Sequence, residues 1–232
     1  MTALKGRIAL VTGASRGIGR VIADRLQQEG AEVACLARTL AERREGSRLE
    51  LPCDITHEEQ VRRAVERISA ELGTPHIVVN NAGAFLLKPL SDTTREEFDE
   101  QIHVNAVGPF LVLRELLPVL PRDGTGHVVT VGSVVDHRPY SGNAAYGASK
   151  YAVRGLHEVM AEELRGTGIR ATLVSPGATD TKLWDSLDPD RREDLPSRKD
   201  MLLPSDVADA VLFALTRPPH ANIEWIRVMP TG

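Results

Sequence analysis

Cysteine is nearly absent: Cys35 and Cys53 are the only two in a chain of 232 residues. Two cysteines make no disulfide framework and no convincing metal site, so both are expected to be small buried apolar residues in a reduced, cytoplasmic protein. No run of 18 apolar residues occurs, which excludes a membrane-spanning helix. The apolar stretch Ile8–Val11 is too short for a signal-peptide core, and no small-residue cleavage site follows it. An excess of positive charge is lacking too. Lys and Arg number 28 against 32 Asp and Glu, a formal charge of -4, which argues against nucleic acid as a partner. The seven histidines form no helical pair with a supporting carboxylate, so no metal is expected. Internal repeats and linkers are missing as well.

What is present suffices for a core: 42% of residues are hydrophobic and 26% charged. Short apolar runs at Ile8–Thr12, Glu32–Ala37, Leu49–Cys53, Ile77–Asn80, His127–Gly132, Arg170–Ser175 and Ile223–Val228 read as seven strands. Segments of helical period alternate with them: Gly17–Glu29, Val61–Leu72, Thr94–Leu117, Ala145–Arg165 and one opening near Ser205. Thr56 with Glu59, and Thr94 with Glu97, have capping-box spacing, and Ser205 is placed to cap the last helix. Only Thr39 to Arg48 separates the second and third strands, which predicts a short or irregular helix there. The alternation predicts an α/β fold: one doubly wound, Rossmann-type domain over 1–232, with a parallel sheet and helices on both faces. Residues 182–203 break the pattern, being polar and holding Pro189 and Pro196, and are expected to form a substrate lid.

The first strand runs into Gly13-Ala14-Ser15-Arg16-Gly17-Ile18-Gly19 and then directly into a helix. Glycines there let the backbone turn tightly and approach a pyrophosphate at the helix N-terminus. The spacing Gly-x3-Gly-x-Gly resembles the nucleotide loop of the short-chain dehydrogenase/reductase family. The resemblance extends over nearly the whole chain: Asn80-Asn81-Ala82-Gly83 after the fourth strand, Asn105 in the following helix and Ser133 after the fifth strand. Tyr146-x3-Lys150 lies 13 residues beyond Ser133, and Pro176-Gly177 follows the sixth strand, with Thr179 and Thr181 downstream.

The resemblance implies a nicotinamide cofactor. Relatives that prefer NAD carry an acidic residue after the second strand; here Arg38-Thr39 stands in that region, with Arg16 in the glycine loop. Two guanidinium groups suit a 2′-phosphate, so NADP is expected. By resemblance, Asp54 and Ile55 bracket the adenine, and the segment around Thr179 and Thr181 holds the nicotinamide carboxamide and phosphate. Tyr146 is the candidate proton donor to the developing alkoxide. Lys150, one turn on, is expected to lower the phenol pKa from roughly 10, and by resemblance also to hold the ribose. Ser133 is expected to orient the carbonyl, and Asn105 by resemblance to support a water chain to the lysine.

The expected activity is NADPH-dependent reduction of a small ketone or aldehyde. Oxidation of small 3-hydroxy acids, reduction of 3-oxoacyl groups and, outside enzymes, non-catalytic NADP sensing are the alternatives. Asp185 to Asp200 holds six acids against four bases, the wrong sign for an acidic acyl carrier. Phe85, Leu86, Val134, Val135, Tyr140, Leu183 and Trp184 are the expected, largely apolar, pocket walls. The family also implies a homodimer or homotetramer through the two long helices.

Overall fold

The computed structural model describes residues 3–231. Its strands are β1 (Ile8–Thr12), β2 (Glu32–Ala37), β3 (Arg43–Glu45), β4 (Arg48–Pro52), β5 (Ile77–Asn80), β6 (His127–Val131), β7 (Arg170–Pro176) and β8 (Trp225–Val228). They form one sheet in the order β3-β4-β2-β1-β5-β6-β7-β8, parallel throughout except for the β3–β4 pair. The chain winds outward from β1 through β2 to β4, then returns to β5 on the other side of β1. This reversal opens a crevice beyond the C-terminal ends of β1 and β5, the position where such sheets bind ligands.

Alternate strand residues enter two cores. Val11, Val33, Val79 and Val174 pack under α1 (Gly17–Gln28) and α6 (Pro204–Leu215). Leu10, Leu36, Leu49, Val78 and Val128 pack under α2 (Glu58–Glu71), α4 (Gly108–Leu116) and α5 (Ala144–Glu163). Both faces are covered, which is why the inner strands are apolar almost throughout. Among the described residues no helix is long and apolar enough to cross a membrane. Cys35 and Cys53 are both buried and free.

Four local expectations are corrected. The Thr39–Arg48 crossover is no helix: its Leu40 and Ala41 are too few to make a buried stripe. Instead Gly46, at φ 56°, turns β3 back onto β4 with Glu45 opposite Arg48, which adds the eighth strand. On the α1 side the β4 residues are charged: Arg48 pairs with Asp24 and Glu50 with Arg20 and Arg43, while Arg48 Nη2 has no partner among the described residues. The Thr56–Glu59 capping box does not form. The Thr56 amide and hydroxyl both donate to Asp54 Oδ1 (3.0 and 2.8 Å), so α2 starts later, and Glu59 pairs with Arg62 and Arg63. Ser205 is no cap, because Pro204 already occupies the first helical position and the Asp206 carboxylate accepts the Leu203 amide at 2.8 Å. The long Thr94–Leu117 helix is in fact α3 (Arg95–Ile102), a wide π turn at His103–Val107, and α4. Pro109 has no amide hydrogen for the Asn105 carbonyl four residues back, and its ring would strike that oxygen in an α-helix. The Thr94–Glu97 capping box, by contrast, is formed in full.

Candidate active site

A cleft of about 1140 Å³ opens at the sheet reversal. That exceeds the ~300–1,000 Å³ usual for one small ligand and leaves room for two. Of the residues singled out from sequence, Gly13, Ser15, Arg16, Gly17, Ile18, Arg38, Thr39, Asp54, Ile55, Asn81, Ala82, Gly83, Ser133, Tyr146, Lys150, Pro176, Gly177, Thr179 and Thr181 line it. Gly19, Asn80 and Asn105 lie behind its wall.

The glycine loop is shaped by close approach. A Cβ on Gly13 would stand 2.7 Å from the Ala82 Cα, and one on Gly19 would stand 2.3 Å from Asn81 Nδ2. Gly19 therefore seats α1 against the strand ends. Thr12, which sequence reasoning missed, fixes the other side: its hydroxyl accepts the amides of Asn81 and Ala82, both at 3.0 Å. Asn80 is buried in β5 with neither amide atom paired among the described residues. At the outer end Arg16 and Arg38 are exposed. Burial raises the Asp54 carboxyl pKa, but the Thr56 amide and hydroxyl, His57 and Arg38 outweigh it and hold that pKa below its usual value.

These residues fit a dinucleotide phosphate. The α1 N-terminus has no side-chain cap and opens on a loop that tolerates no side chain at Gly13. Two exposed cations, Arg16 and Arg38, line the cleft beside this loop and β2, and no carboxylate directly follows β2.

The other half of the cleft brings Ser133, Tyr146 and Lys150 together. Ser133 follows β6, while Tyr146 and Lys150 occupy one face of α5. Lys150 Nζ donates to the Val131 carbonyl at 3.2 Å and stands 5.8 Å from the centre of the Tyr146 ring. The expected lowering of the tyrosine pKa is reversed. Burial pushes Tyr146 up to about 12, opposed by the Ser133 hydroxyl and reinforced by Asp136. Burial pushes Lys150 down to about 8, with Asp136 acting the other way.

Asn105 sits in the π turn. Its Oδ1 accepts the Ala84 amide (2.8 Å), and its Nδ2 donates to the Ala84 carbonyl (2.9 Å) and the Ser149 hydroxyl (2.8 Å). Ser149 in turn donates to the Tyr146 carbonyl at 2.7 Å. The side chain is thus committed to structure, and the Asn105 carbonyl is the group that Pro109 deprives of a helical donor.

Phe85 packs edge-on to Tyr146 (4.8 Å between ring centres) and against Trp184 (5.1 Å). Val134, Val135, Tyr140 and Leu183 also line the cleft; Leu86 does not, and Leu87 takes its place. Two charged pairs lie at the mouth: both Glu97 oxygens lie 2.8 Å from Lys88 Nζ, and Arg192 meets Asp194 at 2.6 Å. Residues 182–203 contain three short turns, at Lys182–Leu187, Pro189–Arg191 and Arg198–Asp200, and Arg198 ties them to Asp180 and Asp185. Behind Ser133 lies a group that sequence reasoning passed over: Asp136, His137, Ser175 and Trp225. Its one sequence signal is the Ser-x-x-Asp spacing from Ser133, which gives a capping box on the Val134–Asp136 turn.

A family model described as short chain dehydrogenase matches residues 7–192. An uncharacterized oxidoreductase of Staphylococcus epidermidis is 34% identical over 236 residues, covering 99% of this chain and 100% of the relative. A solved dehydrogenase/reductase from Sinorhizobium meliloti superposes with a TM-score of 0.85 at 32% identity, over 99% of this chain and 96% of that one. A metagenomic short-chain oxidoreductase, solved in complex with NADP, superposes with a TM-score of 0.82 at 32% identity, over 99% of each chain.

Proposed function

The chain belongs to the short-chain dehydrogenase/reductase family and is an oxidoreductase, and from that membership we propose that it is an NADPH-dependent reductase of small, uncharged ketones or aldehydes. The observation behind this is the meeting of Ser133, Tyr146 and Lys150 in the same cleft as the glycine loop. When bound, the dihydronicotinamide supplies the hydride. Ser133 donates a hydrogen bond to the substrate oxygen and fixes its direction. The Tyr146 hydroxyl gives its proton to the oxygen as negative charge develops there. Lys150, still an ammonium at neutral pH, stabilises that charge, holds the ribose and passes on the next proton. The Asn105 carbonyl receives the water through which Lys150 is reloaded. The 2′-phosphate falls to Arg38 and Arg16, in line with the NADP of the metagenomic relative.

Paired charges at the mouth and the apolar walls Phe85, Leu183 and Trp184 favour an uncharged substrate body. Residues 182–203 act as the lid over it, in a single-domain chain that assembles as a homodimer or homotetramer.

Purified protein with NADPH and a panel of small diketones, aldehydes and a 3-oxoacyl thioester tests the activity through loss of dihydronicotinamide absorbance. Tyr146→Phe removes one hydroxyl and nothing from the glycine loop. Turnover should fall roughly 10²–10⁴-fold with NADPH affinity unchanged. A variant retaining more than about a tenth of the parent rate removes Tyr146 as the acid. NADPH binding without turnover of any panel member points to a sensor instead.

A further inference from the structure

Asp136 is completely buried, at 0% exposure. A carboxylate cut off from water is costly unless its oxygens are satisfied, and here its own turn and β7 satisfy them. Oδ2 accepts the Ser133 amide at 3.0 Å and the Ser175 hydroxyl of β7 at 2.7 Å; Oδ1 lies 2.7 Å from His137 Nδ1. Ser175 accepts the indole N–H of Trp225 in β8 at 2.9 Å. Trp225 stands edge-on to His137 and is flanked by Arg154 and Arg227. From α5, Arg154 also donates to the Asp136 carbonyl at 3.3 Å. Gly132 makes the room, since a Cβ there would come within 2.3 Å of Asp136 Oδ2. Capping a three-residue turn needs the Ser133 amide alone; the Ser175 hydroxyl of β7, itself held by Trp225 of β8, and the Arg154 bond to the Asp136 backbone fix the turn behind the reacting groups.

We propose that Asp136 is a positioning residue of this site: it holds Ser133 in place and sets a buried carboxylate behind the reacting groups of the cleft. The inference rests on the reductase reading for its consequence in turnover, but not for its geometry. The charged and titratable groups facing the carboxylate are His137 in its own turn and Tyr146, Lys150 and Arg154 on α5, with Arg227 of β8 on the far side of Trp225. A negative charge in this setting disfavours tyrosinate and favours ammonium, so it raises both proton affinities. Reduction needs phenol and ammonium, and the charge therefore extends activity toward alkaline pH.

Asp136→Asn keeps the size and an acceptor for the Ser133 amide but removes the charge. In the parent, kcat/KM for reduction should fall above about pH 8, where Lys150 loses its proton. In Asp136→Asn this limb should move down by roughly half to one pH unit, with kcat lowered more than KM is raised. Ser175→Ala keeps the charge while loosening the carboxylate, so it should lose rate without that downward movement. If both variants shift the limb alike, Asp136 is only structural and the proposal fails. Asp136→Ser, smaller and still able to cap Ser133, replaces the amide variant if that does not fold. A substrate-free measurement separates this inference from the reductase reading. With ¹³C-labelled tyrosine, three signals arise, and exposed Tyr140 and Tyr151 serve as references. The Tyr146 signal should begin moving toward tyrosinate at lower pH in Asp136→Asn. A signal that moves at the parent's pH in the folded variant overturns the proposal, whether or not any ketone is reduced.

Discussion

Arg38 stands exposed where β2 ends, and its charge reaches Asp54 without the two forming an ion pair. A guanidinium at a cleft rim with no ion-pair partner among the described residues is held ready for an anion, and replacing it with a carboxylate reverses what the rim accepts. Arg38→Asp should lower kcat/KM with NADPH and raise the relative efficiency with NADH, through lost attraction and new acceptors for ribose hydroxyls. Steady-state kinetics with both cofactors checks this; an unchanged ratio moves the phosphate contact to Arg16. Motif residues such as Tyr146 and Lys150 were legible in the sequence because one helical turn places them together. Asp136 was not, because its partner Ser175 lies 39 residues along and Ser175's own partner Trp225 a further 50. The direction of the Tyr146 shift was also hidden. Spacing reports a neighbouring lysine but not the burial and the Asp136 charge that raise the phenol pKa.

The capping box at the start of α3 does two tasks. Glu97 accepts the Thr94 amide at 2.8 Å while its carboxylate neutralises Lys88 at the cleft mouth. Glu97→Gln preserves the cap and releases the charge, so carbonyl substrates bearing a carboxylate should gain several-fold in kcat/KM over uncharged ones, and less so as salt rises. Measuring both substrate types at two salt concentrations decides it, and a constant ratio sinks the idea. Periodicity made most elements readable, and six of the seven expected strands lie within one residue of their expected ends. Ile223–Val228 starts two residues late, and β3 was not foreseen. What periodicity does not encode is competition at element ends. Pro109 disrupts the helix that its neighbours support, and Asp54 captures the Thr56 groups that would have capped α2. Gly46 likewise turns a would-be crossover helix into a hairpin.

Across the whole molecule, two buried histidines couple folding to acidity. Burial pushes His127 down to about 3, helped by Arg170 and His157; it pushes His157 down to about 4, opposed by Glu158. Each stays neutral in the fold while the unfolded chain takes up protons below pH 6.5 or so. Their contribution is complete above that pH and is lost as pH falls toward the folded values. By about pH 5 the loss is about 2 kcal/mol for each histidine. Urea unfolding at neutral pH and near pH 5 should show a clearly lower midpoint in acid, and equal midpoints refute it. The two margins of the sheet differ in another respect. At one end β3 presents Arg43, Arg44 and Glu45, all exposed, a charged edge that repels a further strand. At the other, β8 presents the half-exposed Trp225. A ribbon that is sealed along one margin has a single direction of growth. Head-to-tail stacking of copies needs two open margins, so joining through the sheet ends at a closed pair related by a two-fold axis, never a fibre.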